Sequence, residues 1–125
     1  MRFRNALARV HARMVPPQLL LMERTNGLVE AKILALVAER GIPDLLAAGP
    51  RTAADLAREA RVDTDALDRA LAFLVSRGLM ARRRGGRYAN NWVSDALRSD
   101  HPQSMREWVR FFASEWHWEM WNSAG

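Results

Sequence analysis

Four arginines in six residues, Arg82, Arg83, Arg84 and Arg87, surround Gly85-Gly86 and form the densest charge in this 125-residue chain. Guanidinium groups in such a cluster bind phosphate oxygens, so an anion is the first chemistry to consider. Just upstream, Asp63, Asp65 and Asp68 crowd the start of one segment with Arg69 as the nearby base, a face that repels a nucleic-acid backbone. Near the end of the chain Trp108, Phe111, Phe112, Trp116, Trp118 and Trp121 offer flat rings suited to an aromatic ligand or a partner surface. His11, His101 and His117 are scattered, and with no cysteine they do not make metal-ligand spacing. No side chain is placed as a general base, and no catalytic, cofactor-binding or metal residue is nominated. The legible chemistry is therefore recognition rather than bond-making.

The elements that position these groups follow from caps and periodicity. Thr52 is placed to cap a helix from Ala53 to Ala60, with Asp55 favouring its positive start. Asp63 is placed to cap the next helix, in which Leu67, Ala70, Leu71, Leu74 and Val75 make a stripe that Gly78 ends. Leu79 to Arg83 and Arg87 to Asn91 read as two strands joined through Gly85-Gly86, a pair suited to positive φ. Arg51 to Trp92 is thus helix, turn, helix and basic hairpin, the outline of a winged helix, which fixes no function by itself.

Before this core, Phe3, Leu7, Val10 and Met14 fall at helical spacing up to Pro16-Pro17. A helix restarts at Gln18, is expected to weaken or bend at Thr25-Asn26-Gly27, and continues from Leu28 to Arg40 with Val29, Ile33, Leu36 and Val37 apolar. Gly41 stops it, and a short turn of helix runs to Leu46 before Gly49-Pro50. After the core, Gln103 to Trp121 reads as a helix with two apolar stripes, one through Trp108, Phe112 and Trp116, the other through Phe111, Trp118 and Trp121. One stripe has a core to meet. The other is expected to meet a surface outside this chain. The fold class is mainly α, a winged-helix-like domain with an N-terminal helical arm, one small β-hairpin and a C-terminal aromatic helix. Its expected parts are an arm over 1–50, a core over 51–93, and an aromatic helix over 94–125 that leads toward an absent catalytic domain.

Composition bounds the function. At 14.2 kDa, 49% hydrophobic and a mean hydropathy of −0.27, the chain has room for one domain and an arm. No apolar run approaches the ~18 residues of a membrane span, and the first residues are not a signal peptide. A cytoplasmic protein without a membrane partner is expected. The net charge of +5 and pI of 11.1 are weak pointers to nucleic acid, because Lys32 is the one lysine and an arginine-rich, lysine-poor chain is what GC-rich coding produces. Arm, long helix and aromatic helix together offer more apolar surface than so small a domain encloses, so a homodimer is expected.

In their order, Gly41-Ile42-Pro43-Asp44-Leu45-Leu46, Gly49-Pro50-Arg51-Thr52-Ala53-Ala54-Asp55-Leu56-Ala57, Leu67-Asp68-Arg69-Ala70-Leu71, Gly78-Leu79 and Glu115-Trp116-His117-Trp118 resemble the N-terminal dimerisation domain of S-adenosylmethionine-dependent O-methyltransferases, of the plant caffeate and bacterial polyketide type. The resemblance implies a winged-helix-like module whose first helices interlock with those of a second copy. It also implies a following Rossmann-like domain that binds S-adenosylmethionine, and a phenolic or polycyclic acceptor walled by the positions of Phe111, Phe112 and Trp116. No glycine-rich strand-to-helix turn follows Trp121. The chain by itself is therefore expected to be inactive and without a cofactor, as the front part of an enzyme, excised or one piece of a split one. Two alternatives stand beside it: a free-standing winged-helix DNA-binding transcriptional regulator with the wing arginines on phosphates, and a ligand-binding or scaffolding dimer.

Overall fold

The computed structural model describes residues 15–112, Phe112 by its backbone alone. Helix α1 spans Pro17–Glu39. Proline at its first position loses nothing, because that N–H has no helical acceptor. The helix runs unbroken through Thr25-Asn26-Gly27, where a weak point is expected from the sequence. Thr25 Oγ1 donates to the Leu21 carbonyl at 2.8 Å, the back-bonding by which a threonine inside a helix weakens or bends it without ending it. Gly41, at φ 71°, ends the run and leads into α2, Ile42–Leu45.

The chain divides into two compact units at Glu30 and Ala31. Among the described residues of the first, Leu19, Leu21, Met22, Leu28 and Val29 are exposed. The second contains the core. There α3, Ala53–Ala60, is capped by Thr52, whose side chain accepts from Asp55 N at 3.2 Å. Helix α4, Thr64–Ser76, is capped by Asp63, which accepts from Ala66 N at 2.8 Å. Both caps stand where the sequence places them, each satisfying an end N–H that the helix cannot. Leu67, Leu71 and Leu74 of the α4 stripe are buried against Leu56, Ile42 and Val37, with Ala70 and Val75 only partly covered.

Strands β1, Ala81–Arg83, and β2, Arg87–Ala89, pair antiparallel with Arg82 opposite Tyr88. Gly85 and Gly86 both take positive φ, 73° and 66°, as the hairpin tip requires. The strands are shorter than the sequence indicates. Asn90 Nδ2 donates to the Pro43 carbonyl at 2.9 Å and Asn91 Nδ2 to the Gly78 carbonyl at 3.0 Å, so both asparagines turn the chain back to the helices. Arg51 adds a bridge on the other side of Tyr88, with Arg51 N on Tyr88 O at 2.9 Å and Tyr88 N on Arg51 O at 2.8 Å. A 3-10 turn, Ser94–Leu97, leads on to α5, Arg106–Phe112. The aromatic helix starts at Arg106 rather than Gln103, and the expected stretch from 113 to Trp121 lies outside the described residues. The described fold is mainly helical with one small hairpin, as the sequence indicates.

Candidate functional site

The groups singled out by type that fall among the described residues have these places in the frame. The wing arginines divide. Arg82 donates to the Tyr88 hydroxyl and holds its guanidinium carbon 4.9 Å from the ring centroid. Arg87 Nε donates to the Arg84 carbonyl at 3.0 Å across the tip. Both are therefore engaged by the hairpin itself, each through one guanidinium nitrogen. The carboxylates of α4 are engaged too. Asp63 caps the helix, and Asp68 Oδ1 accepts from the Tyr88 hydroxyl at 2.7 Å. A recognition helix headed by acids, two of them already serving the fold, is poorly made for a DNA groove.

Tyr88, the single tyrosine, is missed by reasoning from charge and periodicity. It is fully buried and joins β2 to α4 through Asp68. Burial pushes its hydroxyl above the ordinary 10.0 and the Asp68 hydrogen bond adds to that, while Arg82 pulls the other way. Its signal in the sequence is a lone phenol in a strand otherwise made of arginine and alanine, since a buried phenol brings a partner with it. A second unforeseen cluster follows the hairpin. Arg98 bonds Asp95 at 3.0 Å and Asp100 at 3.0 Å, which raises the guanidinium above its usual range and holds Asp100 below its own. Asp44 Oδ1 accepts from Ser99 N at 2.8 Å and ties this loop to α2.

The aromatic wall is described in part. Phe111, half-exposed, and Phe112 stand in the last turn of α5, while Trp116 lies outside the described residues, as do His11 and His117. Trp108 is exposed on the same helix. His101 Nδ1 accepts from Gln103 N at 3.0 Å, a local turn contact rather than a site. Two hollows open elsewhere. One, about 160 Å³ and apolar, lies between the end of α1 and the start of α4, lined by Leu36, Val37, Ile42, Val62, Ala66 and Leu67. The other, about 330 Å³, open and mixed in polarity, lies by Gly49, Pro50, Arg83 and Asn90. Among the described residues no group of His, Asp and Glu can hold a metal ion, and no helix is long and apolar enough to cross a membrane. The described glycine turns join helix to helix, helix to strand or strand to strand. None of these described turns leads from a strand into a helix N-terminus, the arrangement that seats a phosphate-bearing cofactor.

What the surfaces have in abundance is uncovered apolar side chain. Met22, Val29 and Leu36 recur every seven residues along α1 and are 60%, 42% and 53% exposed, with Leu21 and Leu28 exposed beside the first two in sequence. A long helix with such a stripe, followed by capped helices and a hairpin, defines a helical interaction module.

The chain belongs to the O-methyltransferase dimerisation domain family, whose model matches residues 22–100. It is 35% identical over 98 residues to the 3-amino-4-hydroxybenzoate 4-O-methyltransferase of Streptomyces cremeus, a match that covers 78% of this chain and 27% of the relative. Among solved structures it is similar to the N,N-8-amino-8-demethyl-D-riboflavin dimethyltransferase of Streptomyces davawensis, with a TM-score of 0.74 and 35% identity over 81% of this chain and 30% of that one. It is also similar to an O-methyltransferase from neocarzinostatin biosynthesis, solved with S-adenosylmethionine and 2-hydroxy-5-methyl naphthoic acid, with a TM-score of 0.60 and 36% identity over 65% of this chain and 25% of that one. The chain spans between 13% and 28% of the length of the curated relatives it matches. The regulator alternative draws no support from these relatives or from the acidic start of α4.

Proposed function

We propose that this chain is the amino-terminal part of an S-adenosylmethionine-dependent methyltransferase acting on a phenolic or polycyclic small molecule in the cytoplasm, and that it supplies self-association and one wall of the acceptor pocket. The observation that carries the reading is the family match over residues 22–100, together with the exposed apolar stripe of α1, which has the character of an interface seeking a second copy. In this reading residues 1–50 are the dimerisation arm, 51–93 the winged-helix-like core and 94–125 the aromatic helix that leads to a Rossmann-like domain. That domain brings the methyl donor and the chemistry. The chain's own share is to hold the acceptor ring. Phe111, Phe112 and Trp116 present flat apolar faces, which restrict a polycyclic acceptor to poses that turn one hydroxyl toward the donor. The relatives' named substrates, an aminohydroxybenzoate, an aminoriboflavin and a naphthoic acid, support the aromatic class.

The experiment is methyl transfer from labelled S-adenosylmethionine by the complete protein, carrying whatever coding sequence follows the codon for Gly125, to a panel of phenols, hydroxynaphthoates and anthraquinones. Transfer to at least one member, with a dimer in sedimentation, is expected. A protein that binds no methyl donor, or that stays monomeric at micromolar concentration, sinks the reading.

A further inference from the structure

The aromatic helix α5 is held at its first residue. Arg106 Nε donates at 3.1 Å to the carbonyl of Ala38, in the last turn of α1. The Arg106 side chain is mostly covered, at 23% exposed, and Ala38 is fully buried. The Ala38 carbonyl also accepts from Gly41 N at 3.1 Å, so Arg106 is a second donor on it, a cation at a helix C-terminus with the favourable sign of the helix dipole. The same Arg106 also bonds Glu107 at 2.8 Å, but that carboxylate is 77% exposed and shared with Arg110, so it adds little. Met105 N completes the attachment on Ala96 O at 2.8 Å. Phe111 follows on the same short helix, about 8 Å along it at 1.5 Å per residue, so a tilt at the first turn displaces its ring.

We infer that Arg106 is a positioning residue: its bond to the Ala38 carbonyl sets where the aromatic wall stands, and through that wall the affinity for the acceptor rather than for the methyl donor. The inference rests on the acceptor-wall reading above for its functional half. Its structural half stands on the Arg106 and Ala38 contact alone.

The test compares wild type, Arg106→Met, Arg106→Lys and Glu107→Gln in the complete protein, by amide hydrogen exchange and by methyl transfer to a hydroxynaphthoic acid. Arg106→Met is expected to speed exchange over 107–112 about tenfold while 64–76 is unmoved, since a local opening costs less once its anchor is gone. The acceptor KM is expected to rise about fivefold or more with the donor KM within about twofold, a misplacement effect. Arg106→Lys is expected to recover part of both, and Glu107→Gln to match wild type. Unchanged exchange over 107–112 in Arg106→Met overturns the inference, as does a Glu107→Gln variant that reproduces its effects, or a rise in both KM values alike. If Arg106→Met does not fold, Arg106→Lys carries the same comparisons. If wild type methylates nothing in the panel, the functional reading falls, while the exchange data still decide what holds α5.

Discussion

The Tyr88 hydroxyl donates at 2.7 Å to the carboxylate of Asp68, across 20 residues of sequence, and so fastens the second strand of the hairpin to the second capped helix. Arg82, opposite Tyr88 in the strand register, donates to the same oxygen from the other side. The hydroxyl therefore both gives and receives, which is the complete use of a buried phenol.

Tyr88→Phe removes both bonds while keeping the ring. A loss of about 1.5–3 kcal/mol is expected, the range for hydrogen bonds to charged groups, read as a lower denaturant midpoint at unchanged slope. The pH dependence has a definite sign. The folded hydroxyl titrates above its ordinary 10.0, first because of burial and then because of Asp68. Its contribution is thus complete below about pH 10 and is lost as pH rises through the raised value. Wild type should lose stability more steeply than Tyr88→Phe above pH 10. Parallel curves there would refute the assignment.

Asp63→Ala tests the cap of α4, where the carboxylate accepts from Ala66 N. About 1 kcal/mol of destabilisation is expected, the usual worth of such a cap. Asp63→Asn, which still accepts, should recover most of it. Urea melts of the two variants decide this, and equal losses in both would mean that charge at the helix start, not the hydrogen bond, is what Asp63 supplies.

These two residues also show what a sequence discloses. Asp63 was legible because a cap is a local device: residue type, position before an apolar stripe and spacing are all in one stretch of chain. Gly41, Gly85 and Gly86 were legible for the same reason, since positive φ is a property of a single residue. Tyr88 was not, because its meaning lies in Asp68, 20 positions away, and no periodicity relates a strand to a helix packed on it. Arg106 and Ala38, 68 residues apart, were hidden likewise. At Thr25 a local rule pointed to a weakened or bent helix; the helix is continuous there, with the Thr25 hydroxyl back-bonded to the Leu21 carbonyl. Val29 and Leu36 were grouped with Ile33 and Val37 as one apolar pattern, yet they are exposed while Val37 is buried. Periodicity identifies an apolar position without saying which partner covers it.

Those exposed positions yield a prediction about assembly. Leu36, 53% exposed, and Leu28, 47% exposed, can each take an acid without opening the core. Leu28→Glu and Leu36→Glu are expected to weaken self-association at least tenfold, about 1.4 kcal/mol, because each would bury an unpaired charge in an apolar interface. The monomer should keep its helical circular dichroism. Sedimentation velocity across a concentration series checks it, and an unaltered dimer in both variants would move the interface off this stripe.

In the hairpin, one cluster of arginines admits two purposes. If the wing served nucleic acid, Arg82, Arg83 and Arg84 would be alike, each a phosphate contact contributing about one unit of salt dependence. The structure makes them unlike. All three are exposed, but Arg82 is bound to the Tyr88 hydroxyl, whereas Arg83 and Arg84 stand on strand and tip. Arg82→Ala should therefore destabilise the fold by about 1–2 kcal/mol through the hydroxyl it leaves with one bond fewer. Arg83→Ala and Arg84→Ala should stay within about 0.5 kcal/mol of wild type, as exposed positions do. None of the three should change retention on duplex DNA at about 0.15 M salt, where specific binders still hold and screened charge alone does not. Salt-dependent DNA binding that falls with Arg83→Ala and Arg84→Ala would restore the regulator. A stability loss confined to Arg82→Ala, with no DNA bound, would instead mean that the wing's charge serves the Tyr88 lock and keeps a short edge strand from pairing with another chain.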